Sequence, residues 1–295
     1  MPQGSYALLA LGTAVTTAVS GLMMSGAFAG ASVMTVTRWN VACTLLMHGL
    51  AATLLGRWGS LDAASVRLLL ISGTLAITIA APAYYGSIAL LGPRPGVLVF
   101  SLNAPLTFLI GSLLLGERPG VTVLAGSALV LAGVAIATWP RSPDMRTDAG
   151  RLGLGIGLGL VAALGQAGGT IAARPAMVAG ADPFAAMAVR FGIAAIPLLA
   201  MQATPLSRVF KIHADRWRPL SLTAAGSLAG NGIGMTLLLV ALAHANAGAC
   251  ATLAAASPVM ILPMVWAQGG RRPGAPAWAG AAATLAGTWM VLSAT

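Results

Sequence analysis

Apolar stretches of about twenty residues follow one another along the chain, parted by short breaks that carry Gly, Pro and Arg. These stretches are apolar on every face rather than along one stripe, as a helix needs when hydrocarbon surrounds it. At 1.5 Å rise per residue, about 20 residues cross the roughly 30 Å core of a bilayer. The pattern predicts helices at 5–27, 31–55, 67–91, 95–115, 120–139, 152–173, 183–203, 219–243, 247–267 and 276–294. Strands of a membrane barrel would alternate apolar and polar side chains. These runs are continuous and rich in Ala, Leu and Gly, so the predicted fold class is an all-α integral membrane protein with ten transmembrane helices. The first segment, Tyr6 to Phe28, follows a start from Met1 to Ser5 that has no Lys or Arg. A signal peptide carries a basic n-region, so this segment is expected to stay as the first membrane helix.

Composition sharpens that reading. Hydrophobic residues make up 58% of the chain and charged ones 7%. A soluble domain carries about 25% charged residues, so a water-facing surface could not be covered here. Disorder requires the opposite composition. The net charge is +10, and every basic residue but Lys211 is Arg. Most of these lie in predicted loops, which points to membrane topology. No basic face is left to hold nucleic acid. Cys43 and Cys250 sit inside apolar segments and form neither a disulfide framework nor a metal site. His48, His213 and His244 show no ligand spacing, so no metal and no cofactor is expected. In short loops, excess Arg and Lys marks the cytoplasmic side. The side that holds the termini carries four (Arg57, Arg67, Arg118 and Arg174) against ten on the other, which puts both termini outside the cytoplasm.

The two longest polar breaks are 140–151 and 205–218. The first divides the chain into a five-helix part at 1–140, a connecting loop at 141–151 and a second five-helix part at 152–295. The parts repeat. The run from Leu115 to Gly120 (LGERPG) is echoed from Gln268 to Gly274 (QGGRRPG). Pairing Arg118 with Arg272 sets an offset of 154, which also pairs Gly126 with Gly280 and Gly133 with Gly287. Pro105 with Pro258, and Arg38 with Arg190, fall within two residues of the same offset. Five is odd, so a second copy enters the membrane from the opposite side. The expected architecture is two inverted five-helix repeats around a central cavity, with the site near the midplane.

Asn103-Ala104-Pro105, then Gly116-Glu117-Arg118-Pro119, then Gly126 and Gly133, with Arg38 upstream, resemble the EamA repeat of the drug/metabolite transporter superfamily. Arg190, Pro258, Gly280 and Gly287 supply matches in the second copy, so the resemblance covers nearly the whole chain. It implies a ten-helix basket whose helices 3, 4, 6, 8 and 9 line the cavity, and export of amino acids or related metabolites. It also implies cytoplasmic termini, against the charge count. The second copy departs from the first at Arg271, where the first has Glu117.

Polar groups at span depth are the candidates for chemistry. Asp62, Glu117, Asp144, Asp148, Asp182 and Asp215 all fall in or beside predicted loops. Without a carboxylate at mid-span, lipophilic dications find no counter-charge and carboxylate-based proton antiport is disfavoured. Asn103, Gln166, Asn231, Tyr85, Tyr84, Ser257 and Thr170 are the candidate substrate-binding residues. An amide or hydroxyl can hydrogen-bond a ligand without the cost of a buried charge. The competing reading for each is a hydrogen bond between helices. Successive helical residues point about 100° apart, so at most one of Tyr84 and Tyr85 is expected to face the cavity squarely. Arg38 and Arg190 read as gating groups that favour a carboxylate, or as structural cations reaching carbonyls or headgroups. Pro105 and Pro258 read as a paired hinge or as static kinks. The ridges Gly226–Gly230–Gly234, Gly155–Gly159 and Gly165–Gly169 read as faces for close packing. His48 and His244 are weaker candidates for a proton relay.

The leading expectation is a secondary transporter that exports small polar or amphipathic metabolites, amino acids foremost, by alternating access without ATP. No Gly-Lys-Ser/Thr motif occurs. One alternative is an uptake or exchange carrier for organic anions, nucleobases or sugars. Another class, a membrane-embedded enzyme, lacks its reactive cluster: there are no paired intramembrane Asp, His boxes or Ser–His pairs. The expected partners are a small-molecule substrate and the lipid bilayer, with no nucleic acid. The chain is expected to act as a monomer or homodimer in a bacterial inner membrane.

Overall fold

The structure is a computed structural model that describes residues 3–28, 30–31, 33–91, 93–138, 149–200, 217–267 and 274–294. Among these residues the chain is helical apart from short connections and has no strand. Helices α1 (Gln3–Phe28) and α2 (Val33–Leu54) lead through a 3₁₀ turn (Arg57–Ser60) to α3 (Ala63–Gly73). A π segment (Thr74–Ile79) carries α3 into α4 (Ala80–Leu91). Helices α5 (Pro93–Phe100) and α6 (Asn103–Leu114) meet at a break, and α7 (Val121–Thr138), α8 (Ala149–Val178) and α9 (Pro183–Ala200) follow. A second π segment (Leu228–Met235) joins α10 (Trp217–Ser227) to α11 (Thr236–His244). Helices α12 (Ala247–Ala254) and α13 (Ser257–Ala267) meet at another break, and α14 (Ala275–Ser293) closes the chain.

Four stretches, Ala63–Ile88, Pro95–Leu114, Leu152–Val178 and Trp217–His244, are long and apolar enough to cross a membrane, and shorter apolar helices accompany them. Leu46, Leu50, Leu113, Leu285 and Trp289 point outward. A bilayer solvates such a surface, and helices satisfy their own interior backbone groups. Inward, the core is built largely of Ala with some Val and Leu. Small side chains let helices approach closely where no hydrophobic force drives them together.

Several boundaries differ from the sequence pattern, each for a local reason. Helix α3 begins earlier than expected because Asp62 caps it, accepting the Ser65 N–H at 2.8 Å. Helix α8 begins at Ala149, inside the expected connecting loop, and runs on to Val178, so Arg174 belongs to a helix and not to a loop. The expected fourth and ninth helices are each broken, at Ser101–Leu102 and at Ala255–Ala256. Pro105 and Pro258 therefore stand in the first turns of α6 and α13. An N–H there has no intrahelical acceptor, so these prolines start helices and do not kink them in mid-span.

The packing uses the glycine ridges. Gly226, Gly230 and Gly234 lie against Met24, Ser20 and Thr16 of α1. The Ser20 hydroxyl donates to the Gly226 carbonyl at 2.7 Å and the Thr13 hydroxyl to that of Gly234 at 2.9 Å. Gly165 and Gly169 of α8 meet Leu75 and Ala76 in the same way, and the Ser72 hydroxyl donates to the Gly169 carbonyl at 2.6 Å. Helix α7 runs along α14, with Gly126 against Gly287 and Gly133 against Gly280. The two π segments begin 154 residues apart, at Thr74 and Leu228, and the two breaks are separated by the same number.

Candidate functional site

A cavity of about 400 Å³ lies among the helices. Asn103, Gln166, Asn231, Tyr84, Tyr85, Ser257 and Thr170 all line it, with Asn40, Phe100 and Phe191 among the other lining residues. The π segments place part of this wall. Their extra residue per turn widens the helix, a distortion often found at functional sites. Ala76 and Ile77 come from the first segment, Gly230 and Asn231 from the second. The Asn231 amide donates to Asn40 Oδ1 at 3.0 Å and to Thr44 Oγ1 at 3.1 Å, and Asn40 donates to Ser227 Oγ at 2.9 Å. Asn40 was not among the sequence candidates. Its sequence signal, an amide inside an apolar span, was the same as that of Asn231.

Asn103 sits where α5 gives way to α6. The Ala104 N–H turns back to the Ser101 carbonyl at 3.2 Å, and the Asn103 side chain donates to the Phe100 carbonyl at 2.8 Å. The amide thus repairs the break that brings it to the cavity. Both tyrosines line the wall, where only one was expected to face it. Tyr84 leans on Phe100 with ring centroids 4.5 Å apart, and Tyr85 lies 5.7 Å from Tyr84, so the adjacent rings share one aromatic surface. The Thr170 hydroxyl donates to the Gln166 carbonyl at 2.9 Å in its own helix.

No Asp, Glu, Lys, Arg or His is among the described residues that line the cavity. Neither Arg38 nor Arg190 reaches it. Arg190 is 2% exposed; its Nη1 lies 3.6 Å from Met187 Sδ and its buried Nε has no partner. His48 is buried behind the wall, with Nδ1 2.9 Å from the Thr44 carbonyl and Nε2 3.1 Å from Thr236 Oγ1. His244 stands at the exposed end of α11. Among the described residues no group of His, Cys, Asp or Glu could hold a metal. His213, Asp144, Asp148, Asp215 and Arg271 lie outside the described residues.

Glu117 lies in the loop between α6 and α7, as expected, but it is buried there. Glu117 follows a turn made by Gly116 at φ 64°, which any side chain would strain. That turn folds Glu117 inward, where it is 8% exposed. Arg174 Nε lies 2.9 Å from its Oε1, and the Ala247 N–H at the start of α12 donates to the same oxygen at 3.2 Å. Nε and Nη2 of Arg174 also donate to the Ala245 carbonyl at 3.3 and 3.2 Å. Loop position alone did not signal this burial.

The EamA-like transporter family model matches residues 153–293. The chain carries an EamA-like transporter domain. With the long apolar helices on both sides of residue 153, that match points to a multi-pass membrane protein with a transporter domain. No curated protein matches this chain. A solved structure described only as the crystal structure of a protein superposes with a TM-score of 0.83 at 15% identity, over 98% of this chain and 97% of that one. At that identity the likeness is one of fold.

Proposed function

We propose that this protein is a secondary transporter of the bacterial inner membrane that exports small polar or amphipathic metabolites, amino acids foremost, by alternating access. The observation that carries this reading is the cavity: amides, hydroxyls and aromatic rings with no ionised side chain among the described lining residues. A net charge in such a site would lack a counter-charge, which is costly at low dielectric. A zwitterionic amino acid brings its own two charges, and amides can donate to its carboxylate and accept from its ammonium. The aromatic wall of Tyr84, Tyr85 and Phe100 suits an apolar side chain. Organic anions fit this lining poorly. Nucleobases, which are neutral and planar, are the second reading, favoured by the same aromatic wall.

Alternating access would use two inverted five-helix halves, ten spans in all. Three features support that architecture. The π segments and the helix breaks recur at a spacing of 154 residues. That spacing makes Gly126 equivalent to Gly280 and Gly133 to Gly287. Under a two-fold each residue meets the equivalent of its partner, and Gly126 lies against Gly287 while Gly133 lies against Gly280. Counterflow in proteoliposomes against a panel of neutral, cationic and anionic substrates tests the reading. Exchange restricted to anions would reject it.

A further inference from the structure

The ion pair of Glu117 and Arg174 stands one turn beyond the cavity. Thr170, which lines the cavity, precedes Arg174 by one turn on α8. Ala251, also in the wall, follows Ala247 by one turn on α12. Asn103 begins α6, whose far end leads to Glu117. Three helices of the cavity wall therefore converge on one buried carboxylate, and the Ala245 carbonyl ties in the end of α11 through Arg174. The same membrane face carries a second tie between loops: the Ser60 hydroxyl accepts the Asp182 N–H at 2.9 Å, with Arg57 3.7 Å from the Asp182 carboxylate.

The matched positions of the other half offer no such pair. The residue matched to Glu117 is Arg271, and the stretch matched to Arg174, around Ser20 to Leu22, holds no charge. We propose that Glu117 and Arg174 form the gate on the face that holds both termini, and that the lack of this pair at the matched positions of the other half leaves the resting carrier open on the opposite face. This rests on the alternating-access reading. Opening toward the termini would separate α8 from the loop that carries Glu117 and from the start of α12. Opening would exchange the short charge-assisted contacts of Glu117 with Arg174 and the Ala247 N–H, and of Arg174 with the Ala245 carbonyl, for water, so these contacts favour the closed state.

The test uses the full chain in oriented proteoliposomes. Ala254, part of the cavity wall on α12, is replaced by Cys in a Cys43→Ala, Cys250→Ala background. A membrane-impermeant maleimide is then offered to one face at a time. The cysteine should label from the face away from the termini and be shielded from the termini face. Glu117→Gln should raise labelling from the termini face about tenfold or more, since such minor states are 0.1–10% populated in an intact equilibrium. Arg174→Gln should do the same, and the double variant should raise labelling by less than the product of the two single effects, because either single change already removes the ion pair while the bonds to Ala245 and Ala247 are separate. Labelling from the termini face at the wild-type rate in both single variants overturns the gate. A double variant that reaches the full product of the two single effects also overturns it. In both cases alternating access stands, provided the cysteine still labels from the other face. Equal labelling from both faces in the wild-type background overturns alternating access itself, and the gate with it.

Discussion

Replacing Asn103 by Leu tests the break between α5 and α6 and the cavity together. Leu keeps the branching at Cγ and removes the donor that holds the Phe100 carbonyl at 2.8 Å. The Ala104 N–H cannot take over, since it is already bonded to Ser101. An unpaired buried carbonyl costs about 1–3 kcal/mol, and hydrogen bonds measured inside a bilayer average about 0.6 kcal/mol. At a factor of ten per 1.4 kcal/mol, the binding-competent geometry should lose between about threefold and about a hundredfold in population. The assay is counterflow of a neutral amino acid, read as KM and turnover per folded carrier, beside melting in detergent. Leu109→Ala, on an exposed face of α6, is the control and should leave transport unchanged. Asn103→Leu with KM, turnover and melting all within twofold of wild type would refute both roles of this amide.

Three further outcomes follow from the packing and the electrostatics. Gly133→Val should destabilise the α7–α14 seam by about 1–3 kcal/mol or more, because an added Cβ would stand 2.5 Å from Thr284 N; Gly153→Ala, with open space around it, should melt like wild type. Gln166→Glu should shift counterflow toward lysine and arginine over leucine, since it places one negative charge in a neutral cavity; an unchanged preference would remove Gln166 from the substrate's surroundings. Hydrogen bonds from the hydroxyl and N–H of Ser65 hold the Asp62 carboxyl below the usual range, so its stabilisation is present at neutral pH and fades as pH falls through that lowered value. Asp62→Ala should therefore melt below wild type at pH 7, with the gap closing in acid; a gap independent of pH would reject the cap's charge as the cause.

The helices and their approximate ends were legible because the apolar runs are long and Gly, Pro and Arg punctuate them. Two features of the wall were not. Breaks at Ser101–Leu102 and Ala255–Ala256 lie inside uniformly apolar runs, so hydropathy passes over them; the signal was Asn103-Ala104-Pro105 and Ser257-Pro258, start signals for a new helix. The π segments leave no periodic trace, since a widened turn in an all-apolar helix changes no pattern. The seven neutral polar residues were chosen by depth in the spans, and depth brings them to one cavity because mid-span polar groups avoid lipid. Glu117 shows where that reasoning stops. Its place beside a proline and an arginine reads as a solvated loop, while its burial comes from a left-handed glycine and an arginine more than fifty residues away.

The most direct test of the central claim is counterflow in liposomes reconstituted with the purified chain, loaded with unlabelled leucine and challenged in turn with labelled neutral, cationic and anionic substrates at equal pH on both sides. The neutral cavity predicts accumulation of net-neutral amino acids above the equilibrium level, and none of lysine or of a dicarboxylate. Accumulation of the dicarboxylate without leucine would contradict it, for no described residue of the cavity wall could offset that charge.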